Sequence, residues 1–163
     1  MRFEVEQNQR GGWCVRADGF TRPLAWHDTE EEALAHASDL EHDPPVAELS
    51  AQLNAAAEHV RLPGGGELCV RPVSPVDREV FIAGFAHLGE DSRYSRFLYA
   101  KGALTERDVQ FFTDIDHEDH EAIGALDAAT GDGVGVARML RTEEDRSVAE
   151  AAVAVVDEWQ GRG

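Results

Sequence analysis

The sequence predicts an α+β chain, and three observations carry that prediction. Near the amino terminus "FEVEQ" and "GWCVRAD" alternate like half-buried strands and are followed by a helical pattern, "DTEEEALAHASDLEHD". Two further stretches, "SPVDREVFIAGFAHLG" and "LTERDVQFFTDI", carry helix-start signatures. The texture then changes to "EAIGALDA", a Gly/Asp-rich turn and "VGVARMLR", a hairpin pattern, before the valine-rich run "VAEAAVAVV".

Taken in order, "NQRG" is the loop of a first hairpin and "TRPLAWH" a third, short strand. Thr29 followed by Glu32 fits a capping box, and Ala33, Leu34, Ala37 and Leu40 fall on one helical face. Residues 1–43 are therefore expected to form a small strand–strand–helix module, with Trp13 and Trp26 available to its core. Asp43–Pro45 ends the helix, because proline has no N–H and restricts the residue before it. Val46, Leu49, Leu53, Ala56 and Val60 then repeat at helical spacing, which makes residues 44–60 a connector helix. Its tail has an alternative, a hairpin of "EHVRL" and "ELCVRPV" around "PGGG".

The second domain is expected over 61–163. Ser74 caps its first helix, Pro75 takes the first helical position, Asp77 occupies the capping-box position, and Gly89 closes the end. Val76, Val80, Phe81, Phe85 and Leu88 make the buried stripe. "SRYSRFLY" is a short helical piece, and Thr105 with Asp108 starts another helix, where Leu104 can staple against Val109. The β-branched Val153, Val155 and Val156 make the last run a strand, apolar on both faces.

Composition narrows the function. A net charge of −17 without a basic patch disfavours nucleic acid. No stretch is apolar enough to cross a bilayer and "MRFEVEQNQR" lacks a signal-peptide core, so the expectation is a cytoplasmic protein without a membrane partner. Cys14 and Cys69 form no ligand cluster; one disulfide is open to them, but in a cytoplasmic protein two free, partly buried thiols are the expectation. His117 and His120, among the acids of "DIDHEDHE", are three apart rather than four, and no metal is expected there. Arg93 and Arg96 could meet an anion, but Glu90 and Asp91 are nearer partners.

The closing "VVDEWQGRG" carries the chemistry. Glycines let a backbone approach an anion closely, and successive N–H groups can form a nest for it. Together with the order of elements, "AEAAVAVVDEWQGRG" resembles the acyl-CoA-binding region of the GNAT superfamily of N-acyltransferases. Gln160 and Gly163 match the first two fixed positions of that family's Q/R-x-x-G-x-G/A loop. "RPVSPVDREVFIAGFAHLGEDSRYSRF" is similar to the family's first-helix region, with an S-R-Y-x-R-F stretch of its bacterial protein-lysine-acetyltransferase-like branch.

The resemblance, over roughly residues 60–163, implies the first part of a mixed, mostly antiparallel sheet flanked by helices. It implies acetyl-CoA as co-substrate and direct attack by an amine, on a small molecule or a protein lysine. Backbone amides around Val155 and Val156 would face the pantetheine arm, and Gln160, Gly161, Arg162 and Gly163 would line the pyrophosphate. Glu150, at the head of the last strand, is the candidate proton acceptor, its pKa raised by burial. In the family a helix, a fifth strand and the thiolate-protonating residue follow the loop, so the chain is expected to be truncated there and incomplete in activity. Its last strand would then expose an edge open to self-association. The alternative is a non-catalytic binding or regulatory module on a partial fold of this kind.

Overall fold

The computed structural model describes residues 1–8, 11–42, 46–97 and 102–162, with no side-chain description for Ala47 and residues 94–97. The chain divides into two compact units, Met1–Ala57 and Glu58–Gly163. Among the described residues no helix is long and apolar enough to cross a membrane.

In the first unit, β1 (Phe3–Gln7), β2 (Trp13–Ala17) and β3 (Ala25–His27) form an antiparallel sheet in that order. Two helices follow, α1 (Glu30–His42) and α2 (Val46–Ala56). The capping box at the start of α1 is made. Glu32 N donates to Thr29 Oγ1, and Thr29 N to Glu32 Oε2, each at 3.3 Å. Cys14, Val15, Ala17, Ala33, Ala37, Leu40, Leu49 and Leu53 are buried. Three apolar residues leave the expected pattern, one of them Val46, exposed at the start of α2. Leu34 is exposed because the α1 stripe is narrower than its apolar sequence, and Trp26 is 59% exposed because β3 is an edge strand.

Val60 does not continue α2. The helix stops at Ala56, where Ala57 N turns back to Asn54 O, and Glu58–Arg61 runs extended as β4. β4 pairs with β5 (Glu67–Pro72) around a tight turn in which Gly65 and Gly66 take φ of 91° and 93°, a region that favours glycine. The extended alternative for the tail is thus the one adopted, because pairing supplies the ladder that a lone helix end lacks.

In the second unit β4, β5, β6 (His120–Asp127), β7 (Gly133–Arg141) and β8 (Ala149–Val155) form one sheet in sequence order, all neighbours antiparallel. Three helices lie between β5 and β6: α3 (Arg78–Ala86), α4 (Glu90–Phe97) and α5 (Glu106–Thr113). A 3-10 turn, Pro75–Asp77, leads into α3. Its tight geometry has a visible cause. The Asp77 carboxylate receives Arg71 bidentately at 2.9 and 2.6 Å, with both residues buried, and also accepts Ser74 N at 2.8 Å.

One face of the sheet is covered. Arg71, Ala122, Val136, Arg138, Ala152 and Ala154 share it by register, and Phe85, Val109 and Phe112 of α3 and α5 are buried. The other face is apolar and open. Ile123 is 45% and Val153 69% exposed, Ala137 and Ala151 are exposed beside them, and no described element of this unit covers them. The last strand is therefore an edge strand, apolar on both faces, with one of those faces open.

Candidate functional site

Pairing decides which backbone groups β8 can offer a ligand. Val156 N donates to Val134 O at 2.9 Å, and 154↔136, 152↔138 and 150↔140 continue the same register. In an antiparallel ladder the bonded residues alternate, so Glu150, Ala152, Ala154 and Val156 turn their N–H and C=O toward β7. Ala151, Val153 and Val155 turn theirs to the open edge. Of the two amides expected to face a pantetheine arm, that of Val155 points to the open edge. That of Val156 does not, because its N–H is committed to the sheet.

After Val155 a 3-10 turn, Asp157–Trp159, reverses the chain. Gly161 has φ of 73°, so the loop needs glycine there. Gln160, Gly161 and Arg162 are exposed, and the Arg162 guanidinium lies 4.7 Å over the Trp159 ring. Gly163 lies outside the described residues. The Gln160 side chain folds back and donates to Val155 O at 3.0 Å, the last outward-facing carbonyl of the edge. Any anion taken by the Gln160 amide must therefore draw it off that carbonyl.

A latch holds this loop to α4, and sequence reasoning missed it. Ser92 Oγ donates to Asp157 Oδ1 at 2.6 Å, and Gln160 Nε2 lies 3.3 Å from both Asp157 Oδ1 and Ser92 Oγ. A Cβ on Gly89 would stand 2.3 Å from Asp157 Oδ2. Gly89 is thus not a left-handed helix cap, as its place in the sequence suggested. Its φ is not positive, and what it supplies is room for the Asp157 carboxylate. The only local signal was a glycine three residues before an S-R-Y stretch.

Glu150 stands at the opposite end of β8, paired with Leu140 and on the same face as Ala152 and Ala154. It is exposed, so the burial expected of it is absent; an edge strand whose neighbour is Leu140 alone cannot enclose it. Five residues of extended chain, roughly 17 Å, separate it from Val155.

The remaining candidates resolve into structure. Asp116 Oδ1 accepts the N–H groups of Glu118, Asp119 and His120 at 2.8–3.0 Å, and those bonds hold its carboxyl below the usual range. His117 takes φ of 58° and meets Glu121 at 3.0 Å. His120 is buried, stacks on Phe111 at 5.0 Å and accepts from Arg138. Burial first, and the Arg138 charge second, push its pKa down, so it stands as the neutral acceptor. Among the described residues no group of three His, Cys, Asp or Glu side chains could hold a metal ion. Arg93 turns to the Phe85 ring at 4.7 Å and to Ala86 O at 3.0 Å. The Arg96 side chain lies outside the described residues. Cys14 and Cys69 are buried free thiols, their pKa values raised by burial.

An apolar cavity of about 100 Å³ lies under α3 on the covered face of the sheet, bounded by Phe81, Phe85, Phe112, Val136 and Ala154.

No family model matches the chain. It is 30% identical over 94 residues, 58% of its length, to acetyltransferase Pat of Mycolicibacterium smegmatis. It superposes on the crystal structure of the GNAT domain of S. lividans PAT with a TM-score of 0.60 and 29% identity, over 66% of this chain. The chain spans 28% of the first relative and 64% of the second. With a five-stranded antiparallel sheet that ends in a glycine-bearing loop, the chain is similar, over the part these likenesses cover, to GNAT N-acetyltransferases of the Pat-like branch.

Proposed function

We propose that the second unit binds acetyl-CoA along the open edge of β8 and serves transfer of the acetyl group to an amine, on a small molecule or a protein lysine. The observation that carries this reading is the edge itself. Outward amides and carbonyls at Ala151, Val153 and Val155 run straight into the Gln160 loop, in a chain similar to an acetyltransferase. An extended pantetheine arm can pair with that edge as a strand would. Its phosphates would meet Gln160, Gly161, Arg162 and Gly163, where backbone N–H groups and one guanidinium favour negative charge.

The thioester end then lies toward Glu150. The amine nitrogen forms a bond to the acyl carbon, the carbon–sulfur bond breaks, and the coenzyme leaves as a thiolate that takes up a proton. Glu150 accepts the proton that the amine gives up, directly or through one water.

Calorimetry and amide NMR test the reading on the chain of 163 residues. Acetyl-CoA should bind, shift the Val155 and Gly161 amides, and leave the Val156 amide in its sheet bond. Glu150→Gln should lower turnover about 10²-fold or more with little change in affinity. Absence of any shift at Val155 on saturation would remove the edge from the mechanism.

A further inference from the structure

The cavity beside β8 has a ligand chemistry of its own. We propose that it is an acyl-chain subsite, which takes the tail of a coenzyme A thioester longer than acetyl, with about four carbons. This rests on the coenzyme reading above and names the class of donor.

Small residues create the space. The sheet floor is Gly124, Gly133, Gly135, Ala152 and Ala154, and the roof is α3 with Phe81 and Phe85. Gly84 faces the same space from α3. A Cβ there would meet only Gly133 O, at 3.5 Å, an ordinary contact. The volume of about 100 Å³ approaches the ~150 Å³ of an apolar cavity that stays dry and takes up benzene.

Its charged neighbours offer a ligand nothing. Arg71 is locked on Asp77, and Arg138 is held by Phe112 O and His120. What remains is hydrocarbon, which rewards an aliphatic chain and penalises a polar group.

Position completes the argument. Ala152 and Ala154 are half-exposed, so solvent reaches the cavity at its β8 end. They lie between Glu150 and Val155, and each adjoins a residue whose amide faces the open edge. Adjacent Cα atoms are about 3.8 Å apart. An acyl group held at that edge can therefore turn over the strand into the cavity without leaving the coenzyme's path.

The test compares acetyl-CoA with butyryl-CoA by calorimetry and follows side-chain methyls by NMR. Two extra methylenes in an apolar site should make butyryl-CoA bind about tenfold tighter. Butyryl-CoA should also shift the Leu88, Val136 and Val156 methyls, and acetyl-CoA should not. Gly84→Ala, which puts a methyl group into the space and favours helix, should cut the preference below about threefold.

Equal affinities for the two thioesters would overturn the subsite and leave the coenzyme reading standing. A preference without movement of those methyls would place the chain elsewhere and overturn it too. Failure of both thioesters to bind would remove the coenzyme reading, and the subsite with it.

Discussion

Thr105 and Ser74 head two neighbouring helical segments, and only one hydroxyl is used. Thr105 Oγ1 accepts from Asp108 N at 3.2 Å, and Asp108 Oδ2 in turn accepts from Thr105 N at 2.7 Å. Ser74 Oγ is buried without a partner among the described residues, because Arg71 draws Asp77 into a tighter turn. Thr105→Ala should cost about 1 kcal/mol, the usual loss of a cap. Ser74→Ala should be neutral or slightly stabilising, since it deletes an unsatisfied buried hydroxyl and spares the Ser74 N bond. Urea unfolding of the two variants checks the contrast. Both positions read alike in the sequence as Ser/Thr followed three residues later by Asp. The difference comes from Arg71, whose part in the turn depends on the side chain lying under it.

At the scale of elements, α4 and the Gln160 loop act as one piece. Gly89→Ala would drive a methyl into the Asp157 carboxylate, part the Ser92–Asp157 bond and release Gln160. The expected loss is roughly 1–3 kcal/mol, as for overpacking elsewhere. Faster hydrogen exchange over residues 156–162 should accompany it, and unchanged exchange there would show that the latch does not order the loop. Helix starts and the β6–β7 hairpin were legible in the sequence because caps, turns and periodicity act over a few residues. The latch was not, because Ser92 and Asp157 are 65 residues apart. The fate of the Val156 amide was equally hidden. Only the register against Val134 tells which N–H groups of an apolar run face outward. Likewise Val60 kept the helical period of α2 in sequence, yet cross-strand pairing with Leu68 won.

Across the whole molecule, the two shifted histidines make stability depend on pH. His36 of the first unit and His120 of the second both have lowered pKa values, with burial as the first cause. His27 and Arg138 add to the respective shifts, while Asp39 and Glu48 oppose the first and Asp116 and Glu121 the second. The unfolded chain therefore binds more protons than the folded one just below the ordinary histidine pKa of about 6.5. The stability these groups contribute is present above that pH and is lost as pH falls through the folded values. Urea midpoints measured from pH 7.5 to 5.5 should decline, and His120→Gln should flatten the decline for the second unit. A midpoint that rises on acidification would contradict the neutral, Arg138-bonded imidazole.

Arg138 also sets a schedule. Its guanidinium ends α5 by bonding Phe112 O at 2.8 Å, and it lies 5.0 Å over the Phe112 ring. On a ribosome α5 emerges well before β7 does. Until then the helix has lost a bond for one of its orphan carbonyls and an aromatic partner, and it has only a half-made sheet to rest on. Nascent chains stopped between the two elements would expose Phe111 and Phe112 to whatever chaperone or neighbouring chain is at hand. The unit thus closes against the order in which translation delivers its parts, the late strand reaching back to finish the early helix.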